Sequence, residues 1–297
     1  MKTAYRRLYT RALGAVCRVS PELLARLRFR AVWGRWPDFE KPTNFDEKLL
    51  WLNLYWRHPL KTAYADKYTL RQHLEQQGLG HVLPQLYGAY LSPEEIDLAA
   101  LPDRFVLKCS HGAKCCVFCR NKQTLDMERT RRALAGWLAT DYSTLLGELH
   151  YAGMTPRIVC EEFLEDGSGG ELPADYKLYC FAGHVHCTMV CSGRRANDSG
   201  RFDYFDREWQ RLPHYWGNAS AERSIPTPAG YDEMLSVAER LSAPFPFVRV
   251  DFYSIRGRAI LGEMTFTPSA CIEAHTEVVS RMLGDLVELP ERFPGPA

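Results

Sequence analysis

The chain has 297 residues, 46% hydrophobic and 25% charged, which describes a folded globular protein large enough for two packed lobes and excludes disordered, collagen-like and coiled-coil chains. Thirty-seven basic against thirty-six acidic side chains leave a net charge of +1, which excludes a protein whose main work is coating nucleic acid. The charge is unevenly spread: residues 1–30 hold eight basic groups against one acid, Glu22, so this segment is +7 and the rest is −6.

Residues 5–18 place Tyr5, Leu8, Tyr9, Ala12, Leu13 and Val16 on one helical face and most arginines on the other. Such a basic amphipathic helix either lies on an anionic membrane surface or packs its apolar face on the fold with its arginines solvated. The same arginines leave only six uncharged residues, 12–17, for an apolar core, too few for a secretory signal. No run of eighteen apolar residues occurs, so no spanning helix is expected and the chain is placed in the cytoplasm, with peripheral membrane contact through residues 1–30 as a further expectation.

Asn44 and Glu47 form a capping-box pattern that opens a helix over 45–56, closed by His58-Pro59. A helix is predicted over 60–77, a strand over 105–109, a helix over 126–139 and a strand over 157–164. Residues 166–170 read as a flexible connection. Their Gly and Ser spacing is not a nucleophile elbow, because acids precede the turn and Pro173 follows it. A hairpin of strands 175–181 and 185–191 turns around Ala182, Gly183 and His184. A helix over 231–241 precedes a last hairpin, strands 247–254 and 259–266 around Arg256, Gly257 and Arg258. Strands and helices interleave without regular βαβ spacing, which predicts an α+β fold.

Ten cysteines in a reducing compartment are expected to be mostly free thiols. Cys116 and Cys119 have the spacing of a zinc knuckle, with Cys109 and Cys115 nearby, but no second ligand pair follows. The preferred reading makes Cys109 and Cys119 small buried hydrophobes on strands flanking a loop.

The last hairpin carries the chemistry. In Val248-Arg249-Val250-Asp251-Phe252 the charges alternate with apolar residues, so Arg249 and Asp251 share a face. Leu261, Glu263 and Thr265 share a face of the returning strand. An odd-length loop, such as 256–258, sets Asp251 opposite Glu263 and Arg249 opposite Thr265; an even loop separates the carboxylates. Two carboxylates across a ladder repel unless something positive lies between them, and a hard divalent cation, magnesium, suits that place. Arg249 beside it suits a phosphoryl group. The bland alternative is a solvated hairpin or an Arg249–Glu263 ion pair. Lys108, facing away from Phe105 and Leu107, leads into Ser110-His111-Gly112-Ala113, where glycine permits close backbone approach to phosphate. Lys177 shares a face with Asp175. Glu161, Glu162, Phe163 and Leu164 end a strand where backbone groups could bond an adenine edge.

These residues resemble the ATP-grasp proteins. Residues 248–252 followed by Gly262-Glu263-Met264-Thr265 are similar to the Arg-x-Asp and Glu-x-Asn end of the D-alanine–D-alanine ligase pattern. More closely, Asn-Phe-Asp-Glu-Lys-Leu (44–49), Ala-Asp-Lys-Tyr (65–68), Phe-Val-Leu-Lys-Cys-Ser-His-Gly (105–112), Asp-Tyr-Lys-Leu-Tyr-Cys-Phe (175–181) and the run 245–253 resemble the TupA-like branch, over residues 38–285.

The resemblance implies an ATP-grasp fold, two α+β lobes gripping ATP; with the N-terminal basic helical segment, whose first thirty-odd residues the resemblance does not cover, the expected boundaries are 1–60, 61–155 and 156–297. It implies Lys67 and Lys108 on phosphates, Glu161 to Leu164 on adenine, Lys177 and Asp175 at the nucleotide, and Asp251 with Glu263 on magnesium. Thr265 stands where the pattern has a ligating Asn, and Ser269 where the branch often has Gly.

The expected reaction is ATP- and magnesium-dependent carboxylate–amine ligation through an acyl phosphate, with Arg249, Lys177 and His111 as the catalytic group. His111 either contacts phosphate, deprotonates the amine or fixes the loop. The resemblance implies a uronic acid of a surface polysaccharide or its precursor as the carboxylate and an amino acid as the amine. A phosphotransferase and a non-catalytic nucleotide-binding scaffold are the alternatives. Neither nucleic-acid partners nor an oligomeric state are indicated.

Overall fold

The computed structural model describes residues 12–167, 172–194, 200–215, 224–273 and 275–292; residues 1–11 and 168–170, parts of the predicted basic helix and glycine-rich connection, lie outside them. Among the described residues no helix is long and apolar enough to cross a membrane. The architecture is α+β, in two compact units interleaved in sequence: residues 1–58, 143–149 and 166–297 make one, residues 59–142 and 150–165 the other.

The smaller unit holds an antiparallel sheet of β1 (Leu86–Tyr90), β2 (Phe105–Cys109), β3 (Cys116–Cys119) and β4 (Ile158–Glu162), in the order β1-β4-β2-β3. Period-2 alternation sends Phe105 and Leu107 of β2 to one face. There they pack with Ile158, Cys160 and Leu134, the last from helix Met127–Leu138. Asp126 caps that helix by accepting the Arg129 N–H at 2.9 Å. Lys108 points to the opposite face, as its alternation predicts. β4 stops at Glu162, two residues short of the predicted end, and β1 and β3 were not predicted: β1 is interrupted by Gly88 and β3 has four residues.

The helix predicted over 60–77 is two helices, Pro59–Ala65 and Lys67–Gln76. Asp66 breaks it, because its carboxylate accepts the Tyr68 and Thr69 N–H groups as an N-cap, and a residue in the extended region cannot also continue the preceding helix.

The larger unit holds an antiparallel sheet of β5 (Asp175–Phe181), β6 (His184–Ser192), β7 (Arg201–Asp206), β8 (Val248–Ile255) and β9 (Arg258–Thr265), in the order β7-β6-β5-β8-β9. Helix Tyr231–Ser242 covers one face, burying Met234, Leu235, Ala238 and Leu241 against it. The other face is divided. Tyr179, Phe181 and Phe247 pack beneath Phe45, whose ring lies edge-on to Phe247 at 4.9 Å. Beyond these aromatics the same face carries Asp175, Lys177, Arg249 and Asp251. Phe45 opens helix Phe45–Tyr55, whose predicted capping box is present: the Asn44 side chain accepts the Glu47 N–H at 2.8 Å and Glu47 accepts the Asn44 N–H. Helices Pro21–Trp33 and Glu277–Asp285 pack against it; neither was predicted.

Candidate functional site

The β8–β9 hairpin turns on two residues, Arg256 and Gly257, both with positive φ (52° and 78°), so its loop is even rather than odd. Such a turn alone sets Asp251 opposite Gly262. A bulge between Asp251 and Phe252 adds one residue to β9, and the observed partners are Asp251↔Glu263 and Arg249↔Thr265. The expected pairing is therefore present, by a different device. The bulge also corrects the face of Leu261, which pairs with Phe252 and shares its side of the sheet rather than that of Glu263. Gly262 suits the position: a Cβ there would stand 3.0 Å from the Tyr253 ring and 3.3 Å from the Asp251 carbonyl.

On this face Asp251 is buried and held by cations. Arg249 donates Nε to Oδ1 at 2.7 Å and a terminal nitrogen to Oδ2 at 2.8 Å, and Lys177 Nζ donates to Oδ2. Arg249 thus forms an ion pair with Asp251, its neighbour on the same face. Arg249 also donates to the Thr265 hydroxyl at 3.2 Å, and that hydroxyl lies 3.4 Å from a Glu263 oxygen as a donor. Burial raises the Asp251 pKa, but Arg249 and Lys177 outweigh it and hold the carboxyl below its usual range. Lys177 bridges to Asp175 at 2.7 Å, and Arg194 reaches the same carboxylate at 3.1 Å. Asp175 is pushed upward, by burial first and by the charge of Asp251 as well. Arg194 had no signal in the sequence, since it lies in an irregular stretch with no period.

Deeper in this unit, Glu273 accepts from the Tyr179 hydroxyl at 2.8 Å and pairs with His275 at 3.3 Å. The segment Ser269–Cys271 is left-handed at three successive non-glycine residues (φ 49°, 52° and 68°), an arrangement that costs about 1–2 kcal/mol per residue. Arg28 holds it by donating to the Ala270 carbonyl at 3.0 Å, and the Thr267 hydroxyl donates to Glu148 at 2.6 Å.

In the smaller unit Lys108 and Glu161 form a 2.6 Å ion pair on the sheet face opposite the core, and Arg71 joins Glu161 at 3.4 Å while donating to the Pro84 carbonyl at 2.6 Å. Burial raises the Glu161 pKa, yet Lys108 and Arg71 bring it below its usual value. Glu162 is exposed. Phe163 is covered by the guanidinium groups of Arg104 and Arg120, 4.7 and 5.1 Å from its ring centre, and Leu164 is half-buried. Lys67 Nζ donates to the Gly112 carbonyl at 3.0 Å, its backbone N–H donates to the Ser110 carbonyl, and the Ser110 hydroxyl donates to Asp66 at 2.8 Å. His111 is buried edge-on to Tyr142, 5.3 Å between ring centres, and burial lowers its pKa although the Trp137 and Thr140 carbonyls pull it up. Gly112 lies under the same tyrosine, where a Cβ would be 2.8 Å from the ring.

Cys119 pairs with Phe105 and Cys109 ends β2 four residues further along, which separates them by about 13 Å, too far for one zinc ion. None of the ten cysteines is in a disulfide.

A model of the TupA-like ATPgrasp family matches residues 47–288. A search of curated proteins returned no match. Among solved structures the chain is similar to the D-alanine–D-alanine ligase of Bacillus anthracis complexed with ATP, at TM-score 0.45 and 14% identity, covering 76% of this chain and 65% of that one. It is similar to the ATP-grasp ligase PsnB complexed with precursor peptide PsnA2 and AMPPNP, at TM-score 0.44 and 16% identity, covering 82% and 64%. The phosphoribosylamine–glycine ligase of Thermotoga maritima matches at TM-score 0.40 and 11% identity, covering 69% and 48%. The chain thus spans between about half and two thirds of the length of these structures.

Proposed function

The chain belongs to the TupA-like ATP-grasp family, and from that premise we propose that it is an ATP- and magnesium-dependent carboxylate–amine ligase working through an acyl phosphate. The observation that supports this most is the face shared by Asp251, Glu263, Arg249 and Lys177, two carboxylates and two cations on neighbouring strands of one sheet.

The donor set fits magnesium. Asp251 and Glu263 offer hard carboxylate oxygens and Thr265 a hydroxyl, and the three N–H groups on Asp251 leave room among the roughly four acceptor sites of a carboxylate. Asp251, Glu263 and Thr265 are assigned to hold the ion, which when bound neutralises phosphate oxygens. Arg249 fixes the Asp251 carboxylate in one orientation through its two-pronged contact and is assigned, with Lys177, to orient the transferring phosphoryl group. Lys108 and Lys67 are assigned to phosphates from the smaller unit, and the backbone of Glu161, Glu162, Phe163 and Leu164 to adenine. The side chain of Glu161 serves Lys108 instead, and Phe163 is already covered by two arginines.

The carboxylate substrate is a uronic acid of a surface polysaccharide or its precursor, and the amine an amino acid. Incubation with ATP, magnesium, a panel of uronic acids and an amino-acid mixture tests this by mass spectrometry. The expected product is a condensation of acid and amine with one water lost, with ADP and free phosphate released in equal amounts. A product that keeps the phosphate assigns a phosphotransferase, and ATP binding without ADP under every combination assigns a scaffold.

A further inference from the structure

Helix Pro21–Trp33 buries Leu24, Ala25 and Phe29 against the larger unit. Its opposite side is apolar as well. Leu23 is 45% exposed and Leu27 42%, and their spacing of four residues aligns them in a stripe on successive turns, while Val19, 87% exposed, lies just before the extended N-cap Ser20. Trp36, beyond the helix, is 48% exposed, and the Arg30 guanidinium stacks over its ring at 4.6 Å from its centre. Arg18 and Arg30 are exposed beside the stripe. Residues 12–36 hold five arginines and one acid, Glu22; Arg26 pairs with Glu22 at 2.8 Å, Arg35 with Glu47 at 2.5 Å, and Arg28 donates to the Leu146 and Ala270 carbonyls.

A second stripe lies on helix Glu277–Asp285, where Val278, Met282 and Leu286 are exposed. Its charged neighbours are mixed: Arg281 stands among Glu277, Asp285 and Glu288. The two stripes are alike in apolar character and opposite in electrostatic setting, so they separate the contributions of the two.

We propose that residues 12–36 dock on an anionic phospholipid surface, with Leu23 and Leu27 entering the boundary between headgroups and acyl chains, Trp36 at its level, Arg30 on the lipid phosphates and Arg18 adding to the local positive charge. Charge decides the occupant. A second copy of the chain would bring a like-charged, arginine-rich stripe against this one, whereas an anionic leaflet attracts it and takes up the apolar side chains. Of the predicted face Tyr5, Leu8, Tyr9, Ala12, Leu13 and Val16, the first three lie outside the described residues, Ala12 is exposed, and Leu13 and Val16 are half-buried. This inference stands apart from the ligase reading, since binding is read without substrate or turnover.

The test is co-sedimentation of the full chain with vesicles of phosphatidylcholine containing one quarter phosphatidylglycerol, and with phosphatidylcholine alone. The expected result is binding to the anionic vesicles that weakens as salt rises, a loss of at least tenfold in Leu23→Asp/Leu27→Asp, and little change in Val278→Asp/Met282→Asp. Circular dichroism and thermal melting confirm that both variants are folded, and Arg18→Gln/Arg30→Gln, which removes two charges and the Arg30–Trp36 stack, is expected to weaken binding at least threefold. The proposal is overturned if the unaltered chain ignores anionic vesicles, if Leu23→Asp/Leu27→Asp binds them as well as the unaltered chain, or if that variant instead dissolves a dimer seen by analytical ultracentrifugation.

Discussion

Asp251 and Glu263 stand opposite one another across the last hairpin because Gly262 adds a residue to β9, compensating a two-residue turn that would otherwise pair Asp251 with Gly262. The carboxylate pair is a product of the bulge, and the arrangement is as sensitive to Gly262 as to the two acids.

Gly262→Val places a branched side chain where even a Cβ is 3.0 Å from the Tyr253 ring. The expected loss is about 1–3 kcal/mol in urea denaturation, with at least tenfold lower ADP production, because Glu263 is displaced relative to Asp251. Full activity in this variant would show that the register does not matter to the chemistry.

Lys177, half-buried, sits between the buried carboxylates of Asp175 and Asp251 on one face. Lys177→Met leaves two buried carboxylates short of a counter-charge and is expected to cost about 3–5 kcal/mol, while Lys177→Arg keeps the charge and recovers much of it. Equal stability of the methionine variant and the unaltered chain in a denaturant titration would contradict the assigned network.

Glu161 and Glu162 are adjacent and opposite in role. Glu161→Ala strips the counter-charge from Lys108 and Arg71 and is expected to cost about 3–5 kcal/mol; Glu162→Ala, at an exposed position, stays within about 0.5 kcal/mol. Thermal melts of the two variants side by side make the comparison, and similar losses would contradict it.

The His275–Glu273 pair gives a pH dependence. Burial lowers the His275 pKa, but Glu273 outweighs it and leaves the folded value above the ordinary 6.5. The protonated imidazole thus stabilises the fold fully below pH 6.5, and this contribution is lost as pH rises through the folded value. Melting temperature is expected to fall over that interval, and His275→Gln, less stable at pH 6, is expected to flatten the fall. A parallel pH profile in the variant would assign the dependence to another group.

Much of the architecture was legible where local signals agree. The capping box at Asn44 and Glu47, the Asp126 cap and the alternation in β8 each specify their element within a few residues. Helix Pro21–Trp33 was signalled by Ser20, Pro21 and a left-handed Gly34, but its arginines and two apolar sides blur the 3.6-residue period. In the candidate site, alternation shows which side chains share a face, yet says nothing of which partner each charge takes. Arg249 chooses Asp251, and Lys108 chooses Glu161, through contacts across strands and within the face that no spacing encodes. The left-handed run at Ser269, Ala270 and Cys271 has no sequence signature, since none of the three is glycine.

The most direct test of the ligase account is trapping with hydroxylamine, using ATP, magnesium and the uronic-acid panel without an amine. The account predicts a hydroxamate of one acid, formed with one ADP per hydroxamate by the unaltered chain and reduced at least a hundredfold in Asp251→Asn. Steady ADP production on an accepted acid with no hydroxamate, or an undiminished yield in Asp251→Asn, would contradict it.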